Sequence, residues 1–235
     1  MVIGNGLIAG QFDKYRDNDD IIIFASGVSN SKETNSKLFD QELNLIKKYI
    51  SKKSLFVYFS TCSVHDSSLT ESNYVKHKLK VEKFIQSNFE NFLILRLPNI
   101  IGLTKNPHTF FNYFYNSIKN GESILIQKNA VRYFMDAEDI SVVIEMILED
   151  NTVKNSVINV SYRNAITIPD AVGIFEKELN KKANLSFVDK GNNYSIPDDY
   201  FYLLYTKSSR IDITDDYTKK CFRKYINKKN NESSI

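Results

Sequence analysis

Cysteine and histidine are scarce in this chain of 235 residues: two Cys, at 62 and 221, and three His, at 65, 77 and 108. Two cysteines make no disulfide framework, and the histidines show no metal-ligand spacing, so the sequence predicts a metal-free protein of a reducing compartment, the cytoplasm. No apolar run approaches the roughly 20 residues that a membrane helix needs, and the N-terminus lacks the basic start and long apolar centre of a signal peptide. Eight Gly and four Pro leave no low-complexity linker, and no internal repeat is present. Strong charge is missing too. The net charge is +3, with 31 Lys and Arg against 28 Asp and Glu. The densest basic run, residues 219–229, reads as a solvated tail. Neither a nucleic-acid-binding module nor a basic face stands behind it.

What is present is a strand–helix alternation. Val2 and Ile3 lead into Gly4-Asn5-Gly6-Leu7-Ile8-Ala9-Gly10, which predicts a very short strand, a glycine-rich turn and a helix to about residue 15. Ile21-Ile22-Ile23-Phe24 is a continuous apolar run, the pattern of a strand buried on both faces. A helix over 34–51 comes next, with Leu38, Leu45 and Ile46 on one side, then a strand over 55–59, a helix over 73–88 and a strand over 92–97 stopped by Pro98. That alternation predicts a parallel sheet with crossover helices. Farther on come helices over 108–120, 136–149 and 169–179, strands over 124–127 and 157–160, and short strands and loops beyond 183.

Two pieces carry chemistry. Gly4-x-Gly6-x-x-Ala9 fits a dinucleotide fingerprint: one glycine for the tight turn, one for close approach of backbone to a diphosphate, and a small residue for close helix–strand packing. The acidic residue expected about twenty positions on, at the end of a second strand, is missing; Asp19 and Asp20 precede the next strand instead. Either the second and third strands are absent or the adenosine ribose is held by another group, and NAD and NADP stay undecided. The second piece is Ser60-Thr61-Cys62-Ser63-Val64 followed by Tyr74-Val75-Lys76-His77-Lys78. Residues i and i+4 share a helix face, so Tyr74 and Lys78 point together, just past the strand end that holds Thr61. Tyr49/Lys53, Tyr115/Lys119 and Tyr225/Lys229 have the same spacing without that context and read as ordinary amphipathic helix faces.

In this order the segments resemble the extended short-chain dehydrogenase/reductases that act on nucleotide-linked sugars. Gly4-Asn5-Gly6 resembles that family's phosphate turn. Asp20-Ile21-Ile22-Ile23-Phe24-Ala25-Ser26-Gly27 resembles its D-V-V-I-H-L-A-A strand. Ser60-Thr61-Cys62-Ser63-Val64-His65 resembles its S-S-x-x-V-Y strand end, and Tyr74-x-x-x-Lys78 its catalytic pair. Leu95-Arg96-Leu97-Pro98-Asn99-Ile100-Ile101-Gly102 is similar to L-R-x-x-N-V-Y-G, and Arg132-Tyr133-Phe134-Met135-Asp136-Ala137-Glu138-Asp139-Ile140 to R-D-F-V-H-V-D-D-V. The match covers roughly residues 1–180.

The resemblance implies an α/β, Rossmann-like doubly wound parallel sheet with a shortened N-terminal half. Residues 1–102 and about 133–162 would form the dinucleotide-binding core. About 103–132 and 163–235 would form a small substrate lobe. It implies NAD or NADP as cofactor, held by Gly4, Asn5, Gly6, Leu7, Ile8, Ala25, Ser26, Gly27, Tyr74, Lys78 and Pro98. Thr61, Tyr74 and Lys78 would be catalytic. Thr61 would hydrogen-bond a substrate oxygen, Tyr74 would give or take the proton, and Lys78 would bind the nicotinamide ribose. Thr61, Ser63, His65, Asn99 and Arg132 would meet a nucleotide-diphosphate sugar, with Asn99 and Arg132 on the diphosphate. His65 also stands where the family has a structural Tyr. Helices 34–51 and 73–88 are homodimer candidates on the same footing. Thr61 is followed by Cys62-Ser63 rather than an acid pair, which argues against a 4,6-dehydratase. Ser63, not Cys62, stands where a dual epimerase/reductase carries its Cys. A reductase of a 4-keto-6-deoxy sugar in surface polysaccharide synthesis is expected, with a 4-epimerase that keeps its NAD, or a non-catalytic nucleotide sensor or scaffold, as alternatives.

Overall fold

The structure is a computed structural model and describes residues 1–150 and 153–232. Positions 151–152 of the expected core, and 233–235 at the end of the expected substrate lobe, lie outside the described residues. In chain order the elements are β1 (Val2–Ile3), β2 (Ile21–Phe24), α1 (Ser36–Lys47), β3 (Leu55–Thr61), α2 (Asn73–Asn88), β4 (Phe92–Leu97), β5 (Asn99–Ile101), α3 (Phe110–Asn120), β6 (Ser123–Gln127), β7 (Val131–Arg132), β8 (Phe134–Asp136), α4 (Ala137–Glu149), β9 (Ser156–Asn159), β10 (Ile166–Thr167), α5 (Ile168–Leu179), β11 (Asn184–Val188), α6 (Asp199–Thr206) and α7 (Tyr217–Glu232).

Five of these strands form one parallel sheet in the order β1-β2-β3-β4-β9. The central strands are covered on both faces, which is why each reads as an unbroken apolar run. Ile22, Phe24, Phe56, Tyr58, Phe92 and Ile94 face α1 and α2, where Ile46, Val81, Ile85 and Phe89 complete the layer. The intervening Ile23, Val57, Phe59, Leu93 and Leu95 face the other way, onto Ile140, Val143, Ile144 and Ile147 of α4. Each fully buried side chain of this kind contributes about 1.5–3 kcal/mol of transfer free energy. The α4-side layer is continuous with the packing of α3, α5 and α7, where Phe111, Phe175 and Phe222 are buried together.

β1 is two residues long and lies at the sheet edge. The second and third strands of a full doubly wound sheet are absent among the described residues, the first of the two alternatives that the sequence left open. The helix expected after the glycine turn is replaced by two 3₁₀ turns, Ala9–Gln11 and Asp13–Tyr15. The chain must return to the start of β2 within residues 4–20. A 3₁₀ turn advances about 2.0 Å per residue against about 1.5 Å for an α-helix, and the Asp17–Asp20 stretch favours turns over helix. Phe12 anchors this segment, fully buried and stacked on Phe59 at 5.8 Å.

The C-terminal expectation also needs correction. Among the described residues beyond 183 there is one strand, β11, and then α6 and α7. The basic run reads as a solvated tail only while its Lys and Asn residues are counted. Cys221, Phe222, Tyr225 and Ile226 recur at helical spacing and are buried, so the run is an amphipathic helix with a basic outer face. On α1, Ile46 is fully buried but Leu38 remains 39% exposed. The short pair β5 and β8, parallel to each other just beyond the end of β4, has no signature in the sequence.

Candidate active site

The C-terminal ends of β1, β2 and β3 bring the chemistry-bearing residues to one rim. After β1, Gly4 has φ +126°, and a Cβ there would stand 2.5 Å from the Ala25 carbonyl oxygen. Only glycine fits that approach of the turn to β2. Above Gly6 the space is open: an added Cβ would meet nothing within 4 Å. Among the described residues the backbone N–H groups of residues 5–8 have no protein acceptor. Leu7 packs against Gly102. With no α-helix behind it, the turn offers these N–H groups but no helix dipole.

Thr61 is the last residue of β3 and 6% exposed. Its Oγ accepts the Ser63 N–H at 3.1 Å and caps the turn Cys62–His65. The hydroxyl proton has no protein acceptor among the described residues and is available to a ligand oxygen. α2 begins at Asn73, so Tyr74 lies in its first turn and Lys78 one turn later. Both are buried, and the Lys78 ammonium sits 5.9 Å from the centre of the Tyr74 ring. The Tyr74 hydroxyl makes no hydrogen bond to a described residue.

Lys78 is the centre of a buried network that sequence reasoning missed. Its Nζ donates to Glu42 Oε1 at 3.1 Å, to the Tyr58 hydroxyl at 2.9 Å and to the Phe59 carbonyl at 3.4 Å. Glu42 of α1 also accepts from the Tyr58 hydroxyl (2.7 Å), the Val28 N–H (2.8 Å) and His77 Nε2 (2.9 Å). Burial pushes the Glu42 carboxyl up, yet the Lys78 charge and the bonds from His77, Tyr58 and Val28 outweigh it and hold the carboxyl at about 2. Burial, reinforced by the Glu42 charge, pushes the Tyr58 phenol well above its ordinary value. Gly27 belongs to the same knot: a Cβ there would stand 2.8 Å from both Lys78 Nζ and Glu42 Oε1. The one signal in the sequence was an acid four residues before Ile46 and four after Leu38, on the apolar side of the helix.

Neighbouring residues have structural duties. Ser60 donates to Glu82 at 2.5 Å, and Arg96 holds the same carboxylate with two bonds of 2.9 and 2.6 Å, tying β3, α2 and β4 together. Cys62 is buried, its Sγ 3.1 Å from the Arg96 carbonyl, and burial raises its thiol far above the ordinary value. His65 meets Asn159 at 2.9 Å. Ser63 is half-buried beside Thr61, and Pro98 is half-buried between β4 and β5. Asn99 spends its side-chain amide on the Tyr133 carbonyl at 3.1 Å. Arg132 reaches buried Asp66 at 3.4 Å and its own neighbour's carbonyl, that of Val131, at 2.7 Å. The turn, Ala25–Gly27, Thr61, Tyr74 and Lys78 thus share one rim, whereas His65, Asn99 and Arg132 are each engaged with protein partners.

No sequence-family model and no curated protein sequence matches the chain. Solved structures do. A dTDP-glucose 4,6-dehydratase of Bacillus anthracis, in complex with NAD, is 15% identical over 95% of this chain and 78% of that one, with a TM-score of 0.67. A UDP-glucuronic acid 4-epimerase of Bacillus cereus, in complex with UDP-glucuronic acid and NAD, is 18% identical over 89% and 76%, at 0.67. A dTDP-4-dehydrorhamnose reductase of Clostridium acetobutylicum is 15% identical over 94% and 85%, at 0.67. The chain has the fold of the extended short-chain dehydrogenase/reductases. Relative to a full doubly wound sheet, the sheet among the described residues ends at β1.

Proposed function

We propose that this chain is an NAD(P)H-dependent reductase of a nucleotide-linked 4-keto-6-deoxy sugar, working in the cytoplasm in surface polysaccharide synthesis. The observation that carries the reading is the placement of Thr61, Tyr74 and Lys78 around the end of β3, beside the glycine turn of β1 and Gly27 of β2. Ligands of open parallel sheets bind beyond the carboxyl ends of the strands. The residues fit the nicotinamide and diphosphate part of the cofactor. The glycine turn offers unpaired N–H groups below the open space at Gly6, and Ala25, Ser26 and Gly27 continue the wall. A nicotinamide dinucleotide held there would supply the hydride.

The protein's own part is positioning and proton transfer. Thr61 donates its free O–H to the sugar's carbonyl oxygen, and Tyr74 gives that oxygen its proton. Lys78 binds ribose hydroxyls in exchange for its longest bond, the 3.4 Å contact to Phe59. Glu42 accepts from the Lys78 ammonium at 3.1 Å and fixes it on the helix face that also carries Tyr74. Ser63 and His65 border the sugar. Asn99 and Arg132 would serve a nucleotide diphosphate after exchanging their present partners.

The second reading is a 4-epimerase, the activity named for one of the similar structures. An epimerase has to retain its cofactor through a full cycle, and the truncated sheet edge favours a cofactor that exchanges. In the deciding experiment, purified protein is mixed with NADH or NADPH and a nucleotide-linked 4-keto-6-deoxy sugar. Stoichiometric loss of absorbance at 340 nm is expected. Interconversion of sugars with no net cofactor consumption would replace the reductase by the epimerase. Cofactor binding with neither reaction would favour the sensor or scaffold.

A further inference from the structure

Among the described residues the sheet ends at β1, so a dinucleotide whose diphosphate rests on the Gly4–Gly6 turn has no described strand beyond that edge to receive its adenosine. A cleft lies close at hand. It measures about 530 Å³ and opens between the loop after β2, α1 and the segment around residues 106–108. We propose that this cleft holds the adenosine moiety and selects NAD over NADP. The inference rests on the dinucleotide reading above and assigns this chain's own residues to the half of the cofactor that the shortened sheet leaves unserved.

Continuity comes first. Ser26 and Gly27 line the cleft and also belong to the rim beside Lys78, while Glu42 closes its floor and grips Lys78 from the other side. The volume lies within the roughly 300–1,000 Å³ of small-molecule sites. The lining suits a nucleoside. Leu38, left 39% exposed on a helix that buries Ile46, offers an apolar surface for a base. Asn30, Gln41 and Asn106 bring amide donors and acceptors. The Asn106 amide donates to Ser29 at 3.2 Å and ties the two loops across the opening.

Charge then decides between the two cofactors. Among the described residues neither Lys nor Arg lines the cleft, and its carboxylates are Glu33 and Glu42. Both Glu42 oxygens are fully engaged. Glu33 accepts the Thr34 and Asn35 N–H groups, at 2.9 and 2.8 Å, through Oε1. The Asn30 side chain is a further hydrogen-bonding neighbour of the same carboxylate, whose two oxygens have lone pairs for about four donors and so keep room for a ligand hydroxyl. A carboxylate accepts from a ribose 2′-hydroxyl, whereas a 2′-phosphate calls for a cation such as Arg. Here a 2′-phosphate would meet Glu33, and among the described residues of the lining His108 is the one ring that could face it with a positive charge.

The test needs no sugar and no turnover. The full chain contains no Trp, so the emission of reduced nicotinamide reports binding cleanly. NADH, NADPH and reduced nicotinamide mononucleotide are titrated in parallel. NADH should bind about tenfold or more tightly than either of the others. Glu33→Arg should invert the NADH/NADPH preference. Gln41→Ala combined with Asn106→Ala should bring NADH down toward the mononucleotide while the mononucleotide's own affinity stays put. Melting curves followed by circular dichroism confirm that the variants fold. Equal binding of NADH and the mononucleotide, a wild-type preference for NADPH, or variants that leave these ratios unmoved would overturn the adenosine site and leave the reductase reading standing. Failure of all three nucleotides to bind would bring down both together.

Discussion

The two ends of the proposed cofactor path are built very differently. At the β3–α2 corner, Lys78, Glu42, His77 and Tyr58 are all buried and joined by bonds of 2.7–3.1 Å, and one layer below, Ser60, Glu82 and Arg96 repeat the arrangement. At the β1 edge a two-residue strand, 3₁₀ turns and an unpaired run of N–H groups stand in for a strand–helix unit. A corner that must place a proton donor tolerates no slack, because small displacements of a reacting group cost orders of magnitude in rate. An edge that only cradles a diphosphate works from backbone N–H groups and can be stripped down to a turn. On the proposed reading, chemistry is concentrated at the corner and affinity is what the edge regulates.

The sharpest way to break that division is Tyr74→Phe. If the corner alone carries proton transfer, kcat should fall roughly 10²–10⁴-fold, while NADH affinity stays within about twofold of wild type, as read by fluorescence titration. Unchanged turnover would remove Tyr74 from its assigned role. Next in size is Glu42→Ala. It strands the Lys78 ammonium without its buried partner, a loss of about 3–5 kcal/mol, visible as a lower urea midpoint with an unchanged m-value. Glu42→Gln keeps the shape and part of the bonding and should lose less. A stability change below about 1 kcal/mol for Glu42→Ala would show that the corner is no tighter than the edge.

The same carboxylate sets a pH dependence. Its folded-state value is held at about 2, below the 4.5 of an unperturbed Glu. A depressed carboxylate stabilises the fold at pH values above its unfolded value, and the contribution is lost as pH falls toward the folded one. Wild type should therefore lose stability steeply between about pH 4.5 and 2. Glu42→Gln should lose much less over that window, as measured by thermal melts across an acid series. Parallel wild-type and mutant profiles would deny Glu42 its part.

Much of the fold is legible because β2, β3 and β4 carry unbroken apolar runs with no competing pattern, and the bounds of α2 can be read from flanking turns and periodicity. The segment after the glycine turn is not legible, because a fingerprint fixes a turn and leaves the element behind it open. There, distance to the next strand overrides helix propensity. α7 is hidden because its Lys and Asn residues swamp a four-residue apolar stripe, Cys221, Phe222, Tyr225 and Ile226. In the candidate site, the strand end and the i, i+4 spacing single out Thr61, Tyr74 and Lys78 in the sequence, and the structure brings the Lys78 ammonium within 5.9 Å of the Tyr74 ring centre. Glu42 is not singled out in that way: a lone acid on a helix resembles any solvated charge, and only the crossing of α1 over Tyr58 and Lys78 makes it the best-bonded carboxylate of the corner. The cleft beside it is assembled from loops separated by some 75 residues of chain, from Asn30 to Asn106, and no local pattern encodes that.

The edge itself allows a finer cut, because its two glycines answer to different demands. Gly4→Ala places a side chain at φ +126° with its Cβ 2.5 Å from the Ala25 oxygen. The loss should be of order 1–3 kcal/mol, seen as a lower melting temperature with or without ligand. Gly6→Ala meets open space at an ordinary backbone angle, so stability should change by no more than about 1 kcal/mol, with either sign allowed by the lower entropy of the unfolded chain. The new methyl group would instead fill the space assigned to the diphosphate, so NADH affinity should drop even though the melting temperature of the free protein hardly moves. Gly4 is then a residue of the fold and Gly6 a residue of the ligand. If Gly6→Ala bound NADH as well as wild type, the turn would be serving only to bend the chain, and the diphosphate would have to rest elsewhere along the rim.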